Sequence, residues 1–144
     1  MTAFLLDTHA WIWLAAGDNR LRKQGHRLSR AAQSGELLIS AISIYEAALI
    51  GMETEDGRRR GKQAVRMLPT VQQWLRDAIE ATRVVPIAID AETAMHAAGL
   101  QAMHPDPFDR LILATAASRG ARLVTADSKM IAFATAAGVE LLEV

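Results

Sequence analysis

Five short apolar runs, separated by helix-length stretches, constrain the fold of this 144-residue chain more than any other feature. They are Phe4-Leu5-Leu6, Leu37-Leu38-Ile39, Val84-Val85-Pro86-Ile87, Leu123-Val124 and Leu141-Leu142. Each is uniformly apolar rather than alternating, the pattern of strands covered on both faces of a parallel sheet. Between them lie Ala-rich segments of good helix propensity, such as Leu111 to Ser118 and Met130 to Ala137. Gly120 and Gly138 stand where helix C-caps belong. Strand and helix in alternation predict one α/β domain over residues 1–144, built as three α/β/α layers around a parallel sheet of four to five strands. From about Ser43 to Thr82 no strand-like run occurs, and Gly57 and Pro69 are the expected breaks. That stretch reads as a helical excursion after the second strand.

Composition narrows the chemistry. With no cysteine, the chain has no disulfide, no thiolate nucleophile and no cysteine-ligated zinc. The longest stretch free of charged residues, Thr93 to Pro105, falls short of the ~20 apolar residues of a membrane helix. The apolar stretch Met1 to Ala16 carries Asp7 and lacks a basic leader, so it makes a poor signal peptide. A soluble cytoplasmic protein with no membrane partner is expected.

In an open parallel sheet, ligands bind beyond the carboxyl ends of the strands. Asp7 directly follows the first run, and Asp127 follows Leu123-Val124-Thr125-Ala126. Glu46 is expected in the first turn of the helix after the second run. Asp106 and Asp109 flank Pro107-Phe108, where a proline at the first helical position starts a helix. Taken singly, each acid has a plain alternative. Asp7, Asp106 and Asp127 are good N-caps, and Ser43-Ile44-Tyr45-Glu46 fits a capping box. Asp90 and Glu92 are read as helix-start residues only. Together, however, Asp7, Glu46, Asp109 and Asp127 come from four segments whose ends a parallel sheet gathers at one edge. Four anions within ~8 Å repel by several kcal/mol unless neutralised. A hard divalent cation such as Mg²⁺ or Mn²⁺ takes oxygen ligands and leaves room for substrate phosphate. The pattern points to metal-assisted phosphoryl chemistry.

The stretches Leu5-Leu6-Asp7-Thr8-His9-Ala10, Ile42-Ser43-Ile44-Tyr45-Glu46-Ala47-Ala48-Leu49, Asp106-Pro107-Phe108-Asp109-Arg110-Leu111-Ile112 and Leu123-Val124-Thr125-Ala126-Asp127 occur in that order. In this the chain resembles the PIN-domain ribonucleases, and among them the VapC-type toxins of toxin–antitoxin pairs. The resemblance implies a PIN-like fold and endonucleolytic cleavage of RNA dependent on Mg²⁺ or Mn²⁺. It makes Asp7, Glu46, Asp109 and Asp127 the catalytic metal-binding acids and Asp106 an accessory carboxylate. It further implies a cognate antitoxin protein and a homodimer. Two positions depart from the common pattern: Tyr45 and Ile50 stand where related sequences often carry Trp and Lys.

Other residues are weighed beside this set. Thr8, Ser43 and Thr125 adjoin the acids and are placed to orient them, although ordinary capping explains them equally well. Arg110 either pairs with a carboxylate or touches substrate. For His9 and His104 a structural hydrogen bond is favoured over a role as general base. Trp11, Trp13 and Trp74 are read as core or interface residues before base-stacking ones.

Sixteen basic residues balance sixteen acidic ones, but unevenly. Residues 20–35 hold Arg20, Arg22, Lys23, Arg27 and Arg30 with no acid; residues 57–76 hold Arg58, Arg59, Arg60, Lys62, Arg66 and Arg76, again with none. Such segments either contact an RNA backbone or form a solvated face. Arg58, Arg59, Arg60, Lys62 and Arg66 are the nominated RNA contacts. Two other readings compete: a non-catalytic RNA- or protein-binding module of the same fold, and a phosphohydrolase or receiver-like domain. An uncompensated acidic set disfavours the first, and the lack of a second Asp in Asp7-Thr8-His9 disfavours the second.

Overall fold

The computed structural model describes residues 2–100 and 105–144, so His104 lies outside the described residues. Among these, the strands are β1 (Phe4–Leu6), β2 (Leu37–Ser40), β3 (Val85–Ile87), β4 (Arg122–Thr125) and β5 (Leu141–Glu143). All pair in parallel, in the order β3-β2-β1-β4-β5. The helices are α1 (Thr8–Ala16), α2 (Gly25–Gln33), α3 (Ala41–Glu55), α4 (Val71–Thr82), α5 (Ala91–Gly99), α6 (Pro107–Arg119) and α7 (Ser128–Ala134). Short 3₁₀ turns cover Asn19–Gln24 and Gly61–Gln63.

The uniform apolarity of the runs in β1, β2 and β4 follows from the layering, whereas those in the edge strands β3 and β5 are apolar yet keep exposed positions, Val85 among them. Successive strand residues point to opposite faces, so a strand covered on both sides must be apolar at every position. Phe4 and Leu6 face one buried cluster, with Trp11, Leu28, Ile50 and Leu75 from α1, α2, α3 and α4. Leu5, from the same strand, faces the other, with Ala97, Ile112, Leu113 and Met130 from α5, α6 and α7. Leu5 and Leu6 are wholly buried, each contributing ~1.5–3 kcal/mol by the usual measure of side-chain burial. One strand thereby joins two cores.

The excursion between β2 and β3 is helical as expected, with α3 and α4 separated near Gly57 and Pro69. Gly51 sits where α3 meets the chain before α4: a β-carbon there would lie 2.5 Å from Met67 Sδ. Met67 is buried in the core, while Met52 and Leu68 remain exposed. Trp11 is fully buried, and its indole N–H donates to Thr82 Oγ1 at 3.1 Å. Gly120 and Gly138 both adopt left-handed backbone, and in each case the following N–H returns to a carbonyl five residues back.

One boundary differs from expectation. Helix α3 begins at Ala41, directly after β2, because Ser40 accepts a hydrogen bond from the Ile42 N–H at 3.3 Å and caps it. Glu46 therefore sits in the second turn, not the first. The Ser43–Glu46 capping box does not form, and Ser43 Oγ is buried without a hydrogen-bond partner.

Candidate active site

Strand order reverses on either side of β1: β2 lies to one side and β4 to the other. Such a switch point opens a crevice at the carboxyl ends of the strands, because the connections leave in opposite directions. β1 ends at Leu6, in register with Val124 of β4, so Asp7 emerges beside Thr125. The Asp7 N–H continues the ladder by donating to the Val124 carbonyl at 3.1 Å.

Asp7 divides its two oxygens. Oδ1 caps α1 by accepting from the Ala10 N–H at 2.8 Å, and Oδ2 accepts from the Thr125 hydroxyl. Thr125 is itself fully buried, and its oxygen accepts from the Asp127 N–H at 3.0 Å. One threonine thus links the ends of β1 and β4. Burial pushes the Asp7 carboxyl up, opposed by the hydrogen bonds from Thr125 and Ala10 and by nearby His9. Asp127 caps α7 through Oδ1 alone, which accepts from Lys129 N at 2.8 Å and Met130 N at 3.2 Å, and its side chain is exposed. Capping and a further role are compatible here, since a carboxylate has two oxygens.

From the other side of β1, the Thr8 hydroxyl donates to Glu46 Oε1 and ties α1 to α3. The Ser43 hydroxyl stands one turn earlier on α3, the side of the helix that Glu46 occupies. Asp106 caps α6 by accepting from the Phe108 N–H at 2.8 Å, and Asp109 lies in that helix's first turn. An edge-on contact between Tyr45 and Phe108, with ring centroids 5.9 Å apart, joins α3 to α6. Each of these rings immediately precedes an acid, Glu46 and Asp109, and the Glu46 charge is among those that act on Asp109. The sequence offered this signal as an aromatic–acid doublet in two segments.

The electrostatics report the convergence. The Asp109 carboxyl is pushed up to about 7, first by burial, then by the charges of Asp106, Glu46, Asp127 and Asp7. Every other acid of the nominated set acts on it. The donors are all carboxylate oxygens, the chemistry that suits a hard divalent ion. As placed, among the described residues, no group of three or more acidic or histidine side chains forms a ready-made ion cage.

The remaining nominated residues fall elsewhere. Arg110 lines a shallow depression against Ala94, Ala97 and Ala98 of α5, with its Nε buried and unpartnered. Arg58 pairs with Asp56 at 2.8 Å, and Arg60 Nε donates to the Gly57 carbonyl at 3.0 Å. The acid-free segment is thus partly neutralised by residues flanking it. Arg59, Lys62 and Arg66 line a cavity of about 480 Å³ together with His9, Trp13 and Trp74. The sequence pattern assigns these two tryptophans to the core or an interface, and both pack against the core cluster of α1, α3 and α4. Only Trp11 of the three is fully buried; Trp13 and Trp74 are partly exposed. No helix among the described residues is long and apolar enough to cross a membrane.

Comparison with known proteins places this geometry in a family. The PIN domain profile matches residues 4–136. The chain is 34% identical over 131 residues to Ribonuclease VapC22 of Mycobacterium tuberculosis (strain ATCC 25618 / H37Rv), covering 90% of this chain and 91% of that protein. Its fold resembles that in the DNA-bound VapBC structure from Salmonella typhimurium, with TM-score 0.67, 20% identity and coverage of 99% and 98% of the two chains. It also resembles VapBC2 from Rickettsia felis bound to a promoter DNA fragment, with TM-score 0.68, 17% identity and the same coverage.

Proposed function

Because the chain belongs to the PIN domain family, we propose that it is an endoribonuclease toxin, cleaving RNA phosphodiesters with the help of Mg²⁺ or Mn²⁺. The observation that carries this reading is the acidic set at the switch point: five carboxylates from four segments, with Asp109 pushed up to about 7 by burial and the other four charges. An enzyme has reason to keep such a strained grouping, while a purely structural domain gains stability by losing it. Asp7, Glu46, Asp109 and Asp127 would hold the cation, and Asp106 adds charge beside it. A divalent ion bound there supplies charge neutralisation and a nucleophilic water at neutral pH.

The chain's own side chains set the stage for that chemistry. Thr125 aims Asp7 Oδ2 and, through its bond to the Asp127 N–H, holds the turn that presents Asp127. Thr8 fixes Glu46 in the same way. Both hydroxyls orient carboxylates without adding charge, the role of supporting groups around a metal site. Ser43 Oγ, buried and unpartnered, is the remaining hydroxyl on the Glu46 side.

The toxin reading brings with it an antitoxin partner, a homodimer, a single PIN-like domain and a cytoplasmic location. The VapBC assemblies named above support the partner. The test is cleavage of a labelled RNA by wild type and by Asp7→Asn and Asp127→Asn, with Mn²⁺ or EDTA. Wild type should cut only with the metal, and both variants should lose at least a hundredfold. Undiminished cutting by the variants, or cutting in EDTA, sinks the proposal.

A further inference from the structure

The cavity beside α1 is lined by four basic side chains, Arg20, Arg59, Lys62 and Arg66, by Asp18, and by the half-buried indoles of Trp13 and Trp74. Two of the cations are anchored: Arg59 pairs with Glu53, and Arg20 pairs with Asp18 at 3.0 Å while lying 4.6 Å over the Trp13 ring. Lys62 and Arg66 are exposed and form no ion pair among the described residues. Trp74 is held edge-on by the fully buried Trp11 at 6.0 Å, so its orientation is set by the core rather than by solvent.

Position adds a second argument. The cavity runs from His9 to Ala16 along α1, about 10 Å at ~1.5 Å per residue. The same helix is capped by Asp7 and carries Thr8, the residue bonded to Glu46. The cavity therefore starts beside the acidic set and leads away from it. Its volume falls within the ~300–1,000 Å³ of small-ligand sites.

We propose that this cavity is a subsite for single-stranded RNA, taking a nucleotide that flanks the scissile bond; the assignment rests on the ribonuclease reading. Lys62 and Arg66 bind the phosphate, while the base lies against the indoles. Single-strand binders combine these two elements, a basic track and aromatic surfaces on which any base can stack. Indoles suit a protein segment as well, but the cavity starts beside the acidic set, on the path of an RNA strand whose reacting phosphate lies there, and this favours the nucleotide. The acidic set and the basic cavity then divide the work: one holds the cation that faces the reacting phosphate, the other holds its neighbour.

The experiment uses the full chain in EDTA, so that binding is read without cleavage. Tryptophan fluorescence is titrated with an eight-nucleotide RNA and, separately, with a poly-glutamate peptide. Saturable quenching by RNA is expected, weakened by salt. The double variant Lys62→Ala/Arg66→Ala should bind RNA at least tenfold more weakly. Its dependence of log affinity on log salt should be shallower by about 0.7, the value for one single-strand phosphate left without its cations. Trp13→Phe should lose much of the quenching. Arg119→Ala, which removes a single basic residue at the far end of α6, should behave as wild type. With Mn²⁺, the double variant's loss on RNA should fall on KM rather than kcat, as expected for removal of uniform binding. RNA affinity and salt slope equal to wild type in a folded double variant overturn the subsite. So does tighter binding of poly-glutamate than of RNA, which assigns the cavity to a protein partner. A wild type that binds RNA here but never cuts it refutes the nuclease reading while leaving the subsite standing.

Discussion

Asp109→Asn is expected to make the metal-free protein more stable and inactive at once. In the folded chain the Asp109 carboxyl is pushed up to about 7 from an ordinary 3.8, by burial and by Asp106, Glu46, Asp127 and Asp7. It therefore binds its proton more tightly folded than unfolded. Between about pH 4 and pH 7 the folded state holds more protons, and stability falls as pH rises through that window. At pH 8 the whole penalty applies. At ~1.36 kcal/mol per tenfold change in acidity, the ceiling is about 4 kcal/mol. The side chain is only partly buried, so solvent screening reduces this to about 1–2 kcal/mol. Asparagine keeps the shape and removes the charge. Thermal unfolding in EDTA at pH 8 should show a gain of about 3–8 °C for a chain of this size. At pH 5 the wild-type carboxyl has regained its proton in the folded state, and more than half of that gain should vanish. A variant that is less stable than wild type at pH 8, or equally stabilised at both pH values, refutes the electrostatic account.

Other expectations follow from the same geometry. Saturating Mn²⁺ at a hundred times its dissociation constant should raise wild-type stability by about 2.7 kcal/mol in a melting assay. Asp7→Asn should lose most of that response, and an unmoved wild-type melting temperature counts against a cation site. Thr125→Val removes the hydroxyl shared by Asp7 and the Asp127 N–H. It should cost about 1–3 kcal/mol in chemical denaturation and at least tenfold in RNA cleavage. Thr125→Ser should restore most of both. Gly51→Ala forces its new methyl against Met67 Sδ. That should cost about 1–2 kcal/mol of stability while cleavage by the folded fraction stays unchanged; equal losses in both would tie α3 packing to the site.

Which segments become strands was legible from composition alone. Phe4-Leu5-Leu6 and Leu123-Val124 are apolar at every position because two helical layers cover them, and that requirement is written residue by residue. Helix starts at Asp7, Asp90, Asp106 and Asp127 were equally plain, since an N-cap is a local hydrogen bond between residues two or three apart. Local chemistry also misled once. Ser43 and Glu46 have capping-box spacing, yet Ser40 caps α3 because β2 runs directly into the helix.

Spacing along a chain carries no information about which distant groups share a hydroxyl or a field. The bond from Thr125 to Asp7 spans 118 positions and that from Thr8 to Glu46 spans 38. Both exist because β1 lies between β2 and β4, an order that pairing across the sheet decides. The same is true of the cavity, where Arg20 from the first 3₁₀ turn, Arg59, Lys62 and Arg66 from beyond α3, and indoles from α1 and α4 share one space. Taken by itself, the sequence determined the strands, the caps and the identity of the acids, because each depends on a residue and its near neighbours. Tertiary structure alone decided that those acids repel one another at Asp109 and that two tryptophans line a basic cavity, because both depend on what the sheet order brings together in space.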